Sequence, residues 1–425
     1  MNRSAVRILI GVGLGIAAGF GAFVWVTGGS EKASAMGERS DANAPVLNYE
    51  SSPIGDPIAE HPVIAHVTIV DLDEDSLPDI VVCDALSNSV RWIRQFPRDT
   101  FTERQIGSTV QAPVHTTLAD LNGDGRLDVL VASMGVLLPN NDRIGSVVVL
   151  ENLGGGRFQN RVIQDNLTRV TDVRAADING DRRPDLIVGQ FGYFEGHVQW
   201  MENLGDWQFK NHLLLTAPGT IHTPVADFDG DGLPDFAALV AQDAEEVRIF
   251  RNRGDAAFEH TVVWKSLNPS WASSGLEVGD VNRDGRSDLI FSNGDGFEGF
   301  VGVVPWHGLH WLENRENGFR AHSIGSLPGC YSPALADLDG DGDQDILAVS
   351  GFNNWRDPQA VSMMAWLNDG HEAFQPVVLA HTPTHLIAVA AGDLDGDGTP
   401  ELVTGGFHVY PPWQNMSRVT LWKRR

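Results

Sequence analysis

Residues 337–349 read Asp-Leu-Asp-Gly-Asp-Gly-Asp-Gln-Asp-Ile-Leu-Ala-Val. Carboxylates at positions 1, 3, 5 and 9 crowd a tight turn, and an apolar run follows at once. Crowded carboxylates repel one another unless a hard cation lies between them, and an all-oxygen ligand set suits calcium. Gly340 and Gly342, at positions 4 and 6, let the backbone wrap an ion. An EF-hand would need a bidentate Glu at position 12 and a helix beyond it. Here position 12 is Ala348, and Ile346–Val349 reads as a buried strand. The stretch is therefore a strand–loop–strand cation site.

The same loop recurs seven times, 49 to 57 residues apart. The first positions are Asp71, Asp120, Asp177, Asp227, Asp280, Asp337 and Asp393. Position 3 is Asp73, Asn122, Asn179, Asp229, Asn282, Asp339 and Asp395. Position 5 is Asp75, Asp124, Asp181, Asp231, Asp284, Asp341 and Asp397. Position 9 is Asp79, Asp128, Asp185, Asp235, Asp288, Asp345 and Glu401. Up to seven calcium ions are expected. Loops 1 and 3 are the weakest candidates, because Glu74, Ser76 and Arg182 stand where Gly is wanted.

The formal net charge of the 425 residues is −26, and 25 of the 56 acidic residues are these loop ligands. Seven dications would bring the charge to about −12. The acidity is mostly metal ligation, and it argues against nucleic acid as a partner.

Arg3 and Arg7 precede an uncharged apolar run, Ile8 to Val26, just long enough to span a bilayer. Residues 1–28 are predicted to be a signal anchor and 29–45 a flexible linker. The body is then a monomeric, single-pass membrane protein's extracytoplasmic domain, or secreted if cleaved after Ala35. No Cys follows the apolar run, which argues against a lipoprotein. Calcium is plentiful outside the cytoplasm, which suits carboxylate sites of modest affinity. Cys83 and Cys330 fall at unrelated places in repeats 1 and 6 and read as separate buried thiols.

Each repeat carries four strand-like pieces, here A to D. In repeat 2, A is Val114–Ala119, B Leu127–Ser133 and C Val148–Asn152, and a Phe-led D starts at Phe158. Strand C often ends in Glu-Asn, as at Asn203 and Asn314. Four strands per repeat predict an all-β fold, a single seven-bladed propeller over residues 46–425. The last repeat stops after strand C (Arg418–Trp422), while Val46–Ile54 is an orphan strand before the first A. Pairing the two completes blade 7 and closes the ring. The Asp-x-[Asp/Asn]-x-Asp-Gly-x-x-Asp loops resemble the FG-GAP/VCBS repeat family, the calcium-loop propellers typified by integrin α-subunit heads. The Phe-Gly and Gly-Ala-Pro words of integrins are poorly kept. The resemblance implies the propeller and its calcium. It implies function only weakly, since adhesins, polysaccharide lyases, sugar dehydratases and scaffolds share the repeat.

Strand order puts the calcium loops and C–D turns on one face and the B–C and D–A connections on the other. The latter are long and aromatic, with Tyr193, Phe297, Trp306, His307, Trp355, Tyr410 and Trp413. Such loops suit a glycan or protein ligand. Five residues before each first Asp stand His66, His115, Asp172, His222, Gly275, Ser332 and Ala388. Strand A is expected innermost, so three His and one Asp from blades 1–4 should meet at the tunnel mouth. They could hold Zn²⁺ or a like metal, as in a carbohydrate lyase or dehydratase, or act as a metal-free acid–base set. The alternative is a polar lining that holds water.

Overall fold

The computed structural model describes residues 47–425, apart from residues 139, 243, 255–256 and 298–303. The expected anchor and linker, and Val46, lie outside them. Among the described residues the chain forms seven antiparallel sheets, each with its strands in the order A-B-C-D. Blade 1 is Ile64–Val70, Asp79–Asp84, Ser89–Gln95 and Phe101–Ile106. Blade 2 is Pro113–Ala119, Asp128–Ser133, Gly145–Asn152 and Phe158–Leu167. Blades 3, 5, 6 and 7 begin at Val170, Ser273, Cys330 and Leu386. In blade 4 strand A is split into Thr220–His222 and Val225–Ala226, both paired with Asp235–Val240. Pro224 stands in the gap, where it has no N–H for the ladder.

Blade 7 takes its fourth strand from the other end of the sequence. Tyr49–Pro53 runs antiparallel to Val419–Arg424, with Tyr49 opposite Arg424 and Pro53 opposite Thr420. Blade 7 also lies against blade 1. Val63 bridges Phe407, and the His408 N–H donates to Pro62 O at 2.7 Å. Ile64, Val67 and Ile80 share an apolar cluster with Leu394, Val403 and Leu421.

Every strand B is buried along its whole length. A sheet covered on both faces needs apolar side chains on both, so these strands read as continuous apolar runs. Strand A starts buried and ends half-exposed in most blades, as in Val170–Ala176 and Leu386–Gly392. Between blades, Trp92, Trp200 and Trp311 of strand C are 1% exposed. Each meets a strand D Phe of the next blade edge-on, Phe158, Phe258 or Phe374, at 6.2 to 6.5 Å. Large rings here bury much area with fixed geometry, so blade faces are keyed to one another. Cys83 and Cys330 are separate, buried and free.

Candidate functional site

The acidic loops are shaped by their own first carboxylate. Asp337 accepts the N–H groups of Gly340 and Gly342 at 2.7 and 2.9 Å, which curls the turn around it. Both glycines take φ near +90°, the left-handed region where a Cβ is strained. Glu74, Ser76, Arg182 and Arg283 adopt φ of 57° to 68° at the equivalent positions, so loops 1, 3 and 5 are less relaxed. Four loops bring three carboxylate oxygens within 4.8 Å of one another: Asp71/Asp73/Asp79, Asp227/Asp229/Asp235, Asp337/Asp339/Asp345 and Asp393/Asp395/Glu401. The other three have Asn122, Asn179 or Asn282 at position 3, so a neutral amide replaces one carboxylate. These all-oxygen sets fit calcium.

The loops differ in how far the chain supplies its own cation. In loop 1 the Arg94 guanidinium bonds Asp73 and Asp75 at 2.6 and 2.8 Å. Arg126 pairs with Asp124, Arg183 with Asp181, Arg253 with Asp229 and Lys423 with Asp395. In loop 6, Asp337, Asp339, Asp341 and Asp345 enter no ion pair among the described residues.

The position-9 carboxylate anchors each loop to its blade. Asp345 is fully buried and accepts the Leu338 N–H at 2.7 Å and the Asn368 N–H at 2.8 Å. Burial pushes its pKa up to about 6, and that of Asp79 and Asp288 up to about 7. A cation beside these groups would hold them ionised. Asn368 then reaches backwards, its side-chain amide donating to Val281 O in loop 5 at 2.8 Å. The same reach joins Asn314 to Phe228 O, Asn252 to Ile178 O, Asn203 to Leu121 O and Asn152 to Leu72 O. Arg424 joins Leu338 O and Gln95 joins Leu394 O, so every loop is tied to a neighbouring blade. The sequence showed the Glu-Asn words but not this role. The signal was the fixed place of Asn at the end of strand C.

The residues expected at the channel do converge. The rings of His66 and His115 lie 4.0 Å apart, and those of His115 and His222 lie 6.2 Å apart. Asp172 is fully buried between them. His115 Nδ1 faces Asp172 Oδ1 at 3.0 Å, and His222 Nδ1 faces Asp172 Oδ2 at 4.0 Å. Reading the sequence missed Arg174, two residues on and so on the same face of strand A. Its Nε reaches both Asp172 oxygens at 3.0 Å, and its Nη2 donates to His115 Nε2 at 3.2 Å. Asp172 also accepts the Thr223 N–H at 2.7 Å. His66 Nδ1 is held by the hydroxyls of Thr116 and Thr68 at 3.2 and 3.3 Å. Burial keeps His66 and His115 well below the usual imidazole range, with the Arg174 charge adding to it. Among the described residues this cluster does not bring three metal-ligand atoms within 4.8 Å. A guanidinium, not an open ligand position, lies beside the carboxylate.

On the opposite face the long connections wall a cavity of about 1300 Å³. It reaches from Ile58, Leu86, Leu137 and Leu138 in blades 1 and 2 across to Phe297, Phe352 and Tyr410 in blades 5 to 7. Of the expected face residues, Phe297 and Tyr410 line it, and Trp413 stacks on the lining residue His61 with centroids 3.9 Å apart. Trp355 lies behind, 5.2 Å from the buried His385 ring. Tyr193 packs on Phe194 away from the cavity. Trp306 is tied to Ser270 O through its indole N–H at 3.2 Å. His307 is a correction: it is 4% exposed, and its Nδ1 accepts the Gly329 N–H, so it belongs to the blade wall. The aliphatic half of the lining escaped a reading that looked for aromatics.

The fold recurs among solved structures at low identity. The V. cholerae biofilm matrix protein Bap1 is 12% identical, with TM-score 0.51, covering 89% of this chain and 91% of its own. BBS1N in complex with ARL6DN, soaked with lead, is 10% identical with TM-score 0.52, covering 88% and 96%. No curated protein matches the chain. The model of the FG-GAP-like repeat matches residues 71–131, 177–238, 227–291 and 293–348, more than half of the sequence. With the repeated acidic loops and the seven sheets, this shows that the chain belongs to the FG-GAP-like repeat family.

Proposed function

We propose that this protein is an extracytoplasmic, calcium-stabilised propeller that binds a ligand at the cavity on its long-loop face. The carrying observation is the open cavity of about 1300 Å³ walled by the long loops of five blades. Around it Leu138 is 68% exposed and Leu86 48%, on a rigid scaffold whose acidic loops lie at the other end. Exposed apolar side chains gathered at a concavity are characteristic of binding sites. The apolar run Ile8–Val26 supports a membrane tether, and the carboxylate loops support a calcium-rich compartment. Of the two solved structures of like fold, one is a biofilm matrix protein and the other is held in a complex with another protein.

The contacts of the channel cluster favour a structural role over the acid–base one. His115 Nε2, the nitrogen free to act as a base, is already bonded to Arg174. We infer that the cluster is an ion-pair network that registers blades 2 to 4.

Binding is tested with a glycan array and a phage-displayed random peptide library, comparing the wild type with a Leu86→Glu/Leu138→Glu variant. A ligand lost in the folded variant supports the reading. Ligands that bind both proteins equally place recognition elsewhere. We further propose that strand Tyr49–Pro53 closes the ring. Deleting residues 47–53 should cost several kcal/mol, because a strand's ladder and packing go. Unchanged melting would remove the latch.

A further inference from the structure

We propose that the cavity takes an apolar segment of a partner protein that carries aliphatic side chains and a flanking Lys or Arg, rather than a glycan. The inference rests on the ligand-binding reading above and names its ligand class.

The first reason is the chemistry of the wall. Sugar hydroxyls need many hydrogen-bonding groups, and apart from Glu60 and His61 the polar side chains here spend hydrogen bonds on the wall itself. The Tyr410 hydroxyl donates to Gly351 O, the Asn353 amide to Val361 O, and His408 Nε2 accepts the Ser417 N–H. Burial holds His408 down to about 4, so it adds no charge near neutrality. Most of what remains is the apolar surface of Ile58, Leu86, Leu137, Leu138, Phe297 and Phe352.

The second reason is size. Small-molecule pockets run to roughly 300–1,000 Å³. A cavity of about 1300 Å³, walled from five blades, has room for several side chains of a folded or folding segment. Its exposed rim would pack around them, as at protein interfaces where central apolar anchors carry the affinity.

The third reason is charge. Glu60 is the one charged side chain in the described lining, exposed and in no ion pair among the described residues. The chain as a whole stays acidic even with seven calcium ions bound, falling from −26 to about −12. A cation beside the aliphatic anchors would meet Glu60 and be steered by that field.

The test selects the phage-displayed random peptide library against the calcium-loaded propeller, with a glycan array and phosphatidylcholine vesicles as the other probes. The expected winners carry aliphatic clusters next to Lys or Arg. They lose about tenfold or more in affinity to Leu138→Glu, and they exchange the cation for Asp or Glu when selected against Glu60→Lys. Leu138 is exposed, so its variant should fold, and its melting temperature checks this. A glycan or a vesicle whose binding is lost in Leu138→Glu would overturn the partner class while leaving the cavity as the binding site. Peptides that bind Leu138→Glu as well as wild type would overturn the proposal. If no probe of any class depends on Leu138, the binding reading itself falls with it.

Discussion

The acidic loops and the channel cluster are both gatherings of titratable side chains, yet they solve the same electrostatic problem in opposite ways. In the channel, Asp172 is fully buried and the chain brings its own counter-ion, Arg174, with both carboxylate oxygens satisfied. In loop 6, Asp337, Asp339 and Asp345 converge within 4.8 Å with no Lys or Arg paired to them. What separates a metal site from a structural ion pair is therefore where the positive charge comes from. Loop 1 stands between the two, since Arg94 bonds two of its carboxylates although it keeps the ligand spacing.

The contrast can be broken most directly by chelation. Removing calcium with EGTA should lower stability by several kcal/mol, because each site held at 100 times its Kd contributes about 2.7 kcal/mol. The readout is the thermal midpoint with and without chelator. Identical melting curves would mean that the loops, like the channel, need no added cation.

Next in size is Arg174→Met. Taking away one partner of a buried pair should cost about 3–5 kcal/mol, because Asp172 keeps a buried charge. Urea unfolding measures it, and added calcium should restore none of the loss. A variant as stable as the wild type would show that Asp172 and the imidazoles satisfy one another without the guanidinium.

The loops can then be set against each other. Asp339→Ala should abolish one calcium site and its share of about 2.7 kcal/mol. Asp73→Ala should leave the number of bound ions unchanged in calorimetric titration, since Arg94 already occupies that corner. Equal loss of a bound ion in both variants would assign loop 1 to the metal sites.

The smallest effect is on pH. Without calcium, burial raises Asp79, Asp128, Asp235, Asp288 and Asp345 to about 6 or 7, above their unfolded value of 3.8. A carboxyl with a raised folded pKa weakens the calcium-free fold at pH 7, and protonation relieves that cost as pH falls through 7 to 5. Calcium must displace those protons, so the gap in melting temperature between loaded and free protein should narrow over the same range. The buried imidazoles act oppositely: their folded pKa is depressed, so acidification below about 6.5 costs stability in both forms and cancels from the gap. A gap that stays constant from pH 7.5 to 5 would show that the buried carboxylates are not ligands.

The blades were legible because their signal is periodic. The spacing of Asp71 to Asp393 fixed the repeat, and the apolar run after each loop fixed strand B. Equal register placed His66, His115, Asp172 and His222 together, because equal distance from a loop means equal height in a ring. Arg174 was missed because it has no counterpart in the other repeats: the same offset gives Thr117 in blade 2 and Glu277 in blade 5. The cavity was half legible. Its aromatics stand out in sequence, whereas Leu137 and Leu138 look like any loop aliphatics until five blades bring them to one concavity. His307 misled because a polar aromatic can equally well be tied into the wall.

The backward reach of the strand C amides gives the ring a direction in time. The amide of blade 2 bonds the loop of blade 1, that of blade 3 the loop of blade 2, and so on to Arg424 and the loop of blade 6. On a chain emerging from its N-terminus, each loop thus stays without its neighbour's hydrogen bond until the following blade has been made. The loop of blade 7 is bonded instead by Gln95 of blade 1, which is synthesised long before it. If blades fold in the order of synthesis, six of these bonds form one blade after their loop and the seventh waits on blade 7, so a nascent chain halted before Leu386 would leave Gln95 holding out an amide to a carbonyl not yet made.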